Sequence, residues 1–172
     1  MQVEVRTVVA EDAEAIVNIL NPIIEAGVYT AFDTPLTADE ERRYITTMPA
    51  RGIFHVAIAA DRLVGFQSME PFASYTRAYD HVGVIGTYVD LSCRRQGVGS
   101  ALFDATFEAA RRKRYEKLFT YILAHNTAAL RAYTRHGFSV VGTASRHARI
   151  RDRYVDAIVV ERQLDPAVTE GP

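Results

Sequence analysis

Apolar and polar residues change period repeatedly along this chain, and each change marks an element. Val3, Val5 and Thr7 alternate with Glu4 and Arg6, the two-residue period of a half-buried strand. From Glu11 to Asn21 the period lengthens, placing Ala15, Ile16, Ile19 and Leu20 on one helical face, with acidic residues in a first turn where the helix dipole favours them. Thr37-Ala-Asp-Glu40 reads as a capping box that opens a second helix, ending near Met48 and Pro49. Phe54–Ala60 and Leu63–Glu70 are β-prone runs joined by a polar turn at Asp61-Arg62, and His81–Val89 is a third. A long helix follows from Gly99 to about Arg114, with Val98, Leu102, Ala105 and Ala109 on one face. Lys117–Leu123 is almost continuously apolar, as a strand covered on both faces requires. A helix from Thr127 to His136 closes at Gly137, and strands at Phe138–Thr143 and Tyr154–Leu164 complete the order β-α-α-β-β-β-α-β-α-β-β. This order predicts an α/β sandwich, a mixed sheet with helices packed on it, and not a Rossmann fold.

No linker or repeat divides the chain, so its 172 residues predict one domain over 1–164 and a loose tail over 165–172. With 20 basic and 21 acidic residues, a broad phosphate-facing surface for nucleic acid is not expected. No apolar run is long enough for a membrane span, and the start lacks the pattern of a signal peptide, so a cytoplasmic protein with no membrane or nucleic-acid partner is expected. One cysteine, Cys93, excludes a disulfide framework within the chain and a multi-cysteine metal site, and no metal is expected.

Chemistry concentrates where the third strand run ends. Thr87–Phe103 (TYVDLSCRRQGVGSALF) runs from strand to loop to helix, and the loop carries Arg94, Arg95, Gln96, Gly97, Val98 and Gly99, with Ser100 in the first helical turn. A helix N-terminus has unpaired N–H groups and a partial positive charge. Glycine lets the backbone approach an anion closely, and arginine adds cationic donors, so the loop suits a pyrophosphate. The spacing is neither a Walker A loop nor GxGxxG, and a tight turn with two solvated arginines is the bland alternative.

RRQGVG after a strand resembles the acyl-CoA-binding motif of the GNAT N-acetyltransferases, Arg/Gln-x-x-Gly-x-Gly/Ala, with Arg94, Gly97 and Gly99 at its fixed positions. Asn126 opening a helix, Tyr133 seven residues later and Gly137-Phe138 after it resemble a second GNAT pattern. Thr30-Ala-Phe32-Asp33, Pro35 to Arg42, Pro71-Phe72 with Arg77-Ala-Tyr79, and Arg153-Tyr-Val-Asp156 resemble the phosphinothricin-acetyltransferase-like branch. The resemblance implies a GNAT-like α/β sandwich, its mixed sheet mostly antiparallel with helices on both faces. It implies a homodimer that moves acetyl from acetyl-CoA to the primary amine of a small amino-acid-like acceptor, of the phosphinothricin or methionine sulfoximine type. It also implies roles: Tyr88 and Val89 pair with the pantetheine, the Arg95–Ser100 amides hold the pyrophosphate, Asn126 contacts the pantetheine or caps its helix, and Tyr133 protonates the leaving thiolate. A phenol, with a reference pKa of about 10, carries that proton at neutral pH.

One position departs from the branch. A Glu five residues before the strand-ending Val is thought to help deprotonate the amine, and here Val84 stands there. Asp80, His81 and Asp90 are the nearby alternatives, His81 having the best intrinsic pKa at about 6.5, although an exposed strand-end histidine is the plainer reading. Phe32, Tyr75, Arg77 and Tyr79 are candidate acceptor-pocket residues, with Arg77 suited to a substrate carboxylate. The run from Arg111 to Arg114 reads as solvated charge closing a helix, and Arg146–Arg153 as a basic loop between strands. Cys93 has no histidine beside it in sequence, which favours direct attack over an acyl-Cys intermediate. Acetylation of a protein N-terminus or an aminoglycoside, or a CoA-binding sensor without catalysis, are the competing functions.

Overall fold

A computed structural model of the protein describes residues 2–164; the expected tail lies outside the described residues. Seven strands form one sheet in the order β1-β2-β3-β4-β5-β7-β6. They are β1 (Glu4–Thr7), β2 (Ile53–Ala59), β3 (Arg62–Pro71), β4 (Val82–Val89), β5 (Lys117–Leu123), β6 (Ser139–Ile150) and β7 (Arg153–Gln163). Every neighbouring pair is antiparallel except β4 and β5. Helices α1 (Ala13–Ala26) and α2 (Ala38–Thr47) pack on one face, and α3 (Val98–Arg112) and α4 (Thr127–Arg135) on the other. The mixed, mostly antiparallel sandwich expected from the element order is the observed fold. No helix among the described residues is long and apolar enough to cross a membrane.

Each face of the sheet has its own core. On one, Ile16, Leu20 and Ile23 of α1 meet Phe54, Val56 and Phe66. On the other, Phe103 and Phe107 of α3 meet Met69, Ile85, Leu118 and Phe138. The capping box at α2 is formed: Glu40 N–H donates to Thr37 Oγ1 (3.2 Å), and Thr37 N–H to Glu40 Oε2 (2.8 Å).

Two boundaries differ from the sequence expectation. α1 begins after a short 3-10 turn at Ala10–Asp12 and runs through Pro22 to Ala26 instead of stopping at Asn21. A proline inside a helix costs about 3 kcal/mol. Ile23 and Ile24 are both buried beyond it, and each contributes about 1.5–3 kcal/mol on burial, which offsets the break. The basic segment 146–153 is not a loop but the end of a long hairpin, turning at Arg151-Asp152 with φ of 47° and 64°. Two successive positive φ values make the turn type whose twist matches the flanking strands. The outward faces of β6 hide the strand signal, because exposed arginines replace the apolar alternation.

Candidate functional site

β4 and β5 pair only at their beginnings, Val82–Val84 against Lys117–Phe119. Beyond that point β4 continues to Val89 along β3, and β5 to Leu123 along β7, without pairing to each other. The sheet therefore splits at Val84 and Phe119, and two strand edges line the gap. Unpaired edges accept an extended polar chain by main-chain hydrogen bonds.

The loop after β4 closes one side of this gap. Asp90 is the N-cap of a short 3-10 turn: its carboxylate accepts from Ser92 N–H (2.8 Å) and Oγ (2.6 Å) and pairs with Arg62 (2.9 Å). The Ser92 hydroxyl bond, the partner backbone bond and Arg62 hold its pKa below the usual carboxylate range. Cys93 is buried, with Arg62 Nη2 3.2 Å from its Sγ. Arg94 stacks over the Tyr29 ring at 4.1 Å, and Gln96 donates to Ser92 O (3.1 Å). Gly97 has φ of 88°, and the first intrahelical bond of α3 runs from Ala101 N–H to Gly97 O. The amides of Val98, Gly99 and Ser100 therefore precede the helix ladder, where the macrodipole places about half a positive charge. A Cβ on Gly97 or Gly99 would meet nothing within 4 Å, so the space above these amides is open. Behind them Val98 is buried against Gly65 of β3, where a Cβ would come within 2.9 Å of Val98 Cγ1. Ser100 Oγ lies 3.1 Å from His136 Nε2.

On the same side, Tyr133 of α4 is buried and its Oη lies 3.0 Å from Thr87 Oγ1. Phe103 and Phe138 meet its ring edge-on, with centroids at 5.1 and 5.0 Å. Gln67, the register partner of Thr87, donates from Nε2 to Thr87 Oγ1 (2.7 Å). Gln67, Thr87 and Tyr133 thus form one buried chain of hydrogen bonds that fixes the position of the phenol oxygen. Burial raises the Tyr133 pKa, opposed by the Thr87 bond, so the phenol stays protonated. The sequence reading missed Thr87 and Gln67, since only strand register joins them to Tyr133. Asn126 caps α4, accepting from Ala129 N–H (3.1 Å), and its amide donates to Tyr29 O (3.2 Å), tying the α1–α2 connection to α4.

The opposite face of the gap carries different chemistry. Tyr88 stacks on Phe66 at 5.0 Å, has Phe32 at 6.5 Å and has the Thr30 hydroxyl as a hydrogen-bond partner. Tyr44 of α2 donates to Glu70 Oε1 at 2.5 Å. Glu41, one turn earlier on α2, is 4% exposed, and burial pushes its carboxyl up to about 7. Phe72 packs edge-on against Tyr79 and Phe119, both at 5.1 Å. Tyr75 and Arg77 project into solvent, Arg77 with Asp80 at 3.6 Å, and Val89 lies at the end of β4. His81 is exposed just before β4, where its carbonyl accepts from Glu116 and Lys117 N–H. His81 and Asp90 thus stand at opposite ends of a strand, about 30 Å apart along the chain. Among the described residues no cluster of His, Cys, Asp or Glu has a metal-holding arrangement.

Comparison with known proteins agrees with this architecture. Phosphinothricin N-acetyltransferase of Streptomyces coelicolor is 29% identical over 168 residues, 95% of this chain and 97% of the relative. L-methionine sulfoximine/L-methionine sulfone acetyltransferase of Pseudomonas paraeruginosa is 23% identical, covering 96% of this chain and 97% of its own. The crystal structure of a GNAT phosphinothricin acetyltransferase from Sinorhizobium meliloti, in complex with acetyl-CoA, superposes with a TM-score of 0.88 at 20% identity, covering all of this chain and 94% of that one. Residues 14–138 match the acetyltransferase (GNAT) family, spanning α1, the split sheet and the helix that bears Tyr133. A parallel strand pair that parts above a glycine-opened helix is thus an acetyltransferase scaffold, and this chain belongs to the GNAT family.

Proposed function

We propose that the protein transfers acetyl from acetyl-CoA to the primary amine of a small amino-acid-like acceptor, of the phosphinothricin or methionine sulfoximine type, by direct attack. The observation that carries this reading is the split between β4 and β5, with an open amide cradle on one face and the aromatic rings of Phe32, Phe66 and Tyr88 on the other. The cradle fits a pyrophosphate: the Arg95–Ser100 amides surround open space at Gly97 and Gly99, beside the cations of Arg94 and Arg95. The free edge at Tyr88 and Val89 suits the pantetheine amides, and Asn126 orders the loop beside it. Acetyl-CoA supplies the activated acetyl group. The chain's own task is to hold the two reactants in line and to place protons. Tyr133 is the thiolate's proton donor, and Thr87 and Gln67 hold its hydroxyl in place. Phe32, Tyr75, Arg77 and Tyr79 serve the acceptor side, with Arg77, exposed and 3.6 Å from Asp80, able to meet a carboxylate. Two catalytic positions at the ends of β4, His81 and Asp90, remain candidates for proton relay through water.

The relatives named for phosphinothricin and methionine sulfoximine acetylation, alignable over nearly the whole chain, support the acceptor class. A homodimer in the cytoplasm completes the reading; Val140, Val141 and Tyr154 on the β6–β7 hairpin are exposed apolar side chains suited to a second copy. The test is release of free thiol from acetyl-CoA with a panel of amines that includes phosphinothricin and methionine sulfoximine. Turnover of amino-acid-like amines is the expected result. Tight acetyl-CoA binding with no turnover of any amine would make the chain a sensor, and no binding would remove the reading.

A further inference from the structure

The acceptor amine reaches the enzyme as an ammonium, whose reference pKa is about 10, and must shed a proton before it can attack. The resemblance to the phosphinothricin-acetyltransferase-like branch places a carboxylate for this step at Val84, which is aliphatic. Its neighbour across the sheet is not. Glu70 of β3 is the Cα register partner of Val84, and Val84 is in turn the last residue of β4 that pairs with β5. Register partners project to the same face with Cβ atoms about 5 Å apart. A carboxylate on Glu70 therefore starts one strand spacing from the place where the gap opens, on the face of Tyr88 and away from Tyr133. Tyr44 Oη holds it by a 2.5 Å bond.

A second observation points to a cation there. Glu41 is 4% exposed and receives no hydrogen bond from any described group. Tyr44, which holds Glu70, lies one turn after it on α2. Neither Glu41 nor Glu70 is in an ion pair among the described residues. A carboxyl group buried without a hydrogen bond or an ion pair is costly, unless a ligand brings it a partner.

We propose that Glu70 is the base that receives the acceptor ammonium and takes its proton, with Glu41 as the second carboxyl of the ammonium site. This deepens the acetyltransferase reading and rests on it. An N–H bond of the ammonium breaks, its electron pair stays on nitrogen, and the proton joins Glu70. The C–N bond then forms as the C–S bond breaks, and the thiolate takes the Tyr133 proton. The second amine proton restores Tyr133 through water, and the proton on Glu70 leaves to solvent. The titratable groups around Glu70 are Tyr44 and Glu41 from α2 and Tyr115 from the turn after α3.

The test is kcat/KM for the fastest amine of the panel, from pH 6 to 10, with acetyl-CoA affinity measured separately by calorimetry. Glu70→Gln should lower kcat/KM about 100-fold at pH 7, leaving acetyl-CoA affinity unchanged. Its rate should then climb about tenfold per pH unit toward the pKa of the amine, because only amine already neutral in solution can react. Adding Val84→Glu to that variant returns a carboxylate to the same face from the adjacent strand and should recover at least tenfold, which a folding defect would not allow. A Glu70→Gln enzyme with wild-type kcat/KM at pH 7 overturns the proposal. So does one reduced by the same factor at every pH and not recovered by Val84→Glu. A wild-type protein that binds acetyl-CoA but acetylates no amine removes the acetyltransferase reading itself, and the base with it.

Discussion

Replacing Glu41 by Gln should stabilise this protein, by an amount that grows as pH rises from about 4.5 to about 7 and then holds. The residue is 4% exposed on the inner side of α2, and burial raises its carboxyl from an ordinary 4.5 to about 7. Between those two values the unfolded chain releases a proton that the folded chain keeps. The folded state thus binds more protons, and stability must fall as pH rises through this window and level off above about 7. Integrating the two titrations between pH 5 and pH 8 gives a loss of about 2.5 kcal/mol attributable to this one group. Glutamine has nearly the same shape and does not titrate, so it escapes the loss. For a chain of this length, such a difference corresponds to a melting temperature about 5–10 °C higher for Glu41→Gln at pH 8 than at pH 5, each measured relative to wild type. Urea unfolding of both proteins at the two pH values, monitored by far-UV circular dichroism, isolates the term because every other group cancels in the difference. An equal gap at pH 5 and pH 8 would refute the argument, and a variant less stable than wild type at pH 8 would reverse its sign.

Tyr133→Phe keeps the ring between Phe103 and Phe138 but removes the proton, so kcat should fall about 100-fold with acetyl-CoA affinity unchanged; equal turnover in a thiol-release assay would dismiss the phenol. Thr87→Val cuts the bond from Gln67 and leaves a fully buried amide without its acceptor, which should cost about 1–3 kcal/mol in chemical unfolding and lower kcat as the Tyr133 hydroxyl loses its partner. Gly97→Ala meets no atom, yet forces φ near 88° on an L-residue; about 1–2 kcal/mol of strain should reshape the loop and raise KM for acetyl-CoA more than KM for the amine.

Local rules made much of this molecule readable. Thr37 and Glu40 define the start of α2 whatever surrounds them, because a capping box closes on its own neighbours. The Arg94–Ser100 loop was legible for the same reason: strand, glycine and helix start lie in one short stretch, so their chemistry is written in consecutive residues. Where side-chain packing competes with propensity, local reading fails, as at Pro22, which α1 crosses because the isoleucines after it are buried. It fails again along Ala144–Ile150, whose strand is held by pairing to β7 and not by an apolar alternation.

The sequence by itself determined the order of elements, the glycine-opened loop before α3 and the tyrosine seven residues beyond Asn126, all of which depend on spacing along the backbone. Only the tertiary structure decided what lies across the sheet. Register sets Gln67 beside Thr87 and Glu70 beside Val84, although each pair is far apart in the chain. The parting of β4 from β5 after Val84 likewise depends on how β3 and β7 claim the two strands. A carboxylate missing from one strand can be supplied by its neighbour, because hydrogen-bond register, and not sequence distance, fixes which side chains share a face.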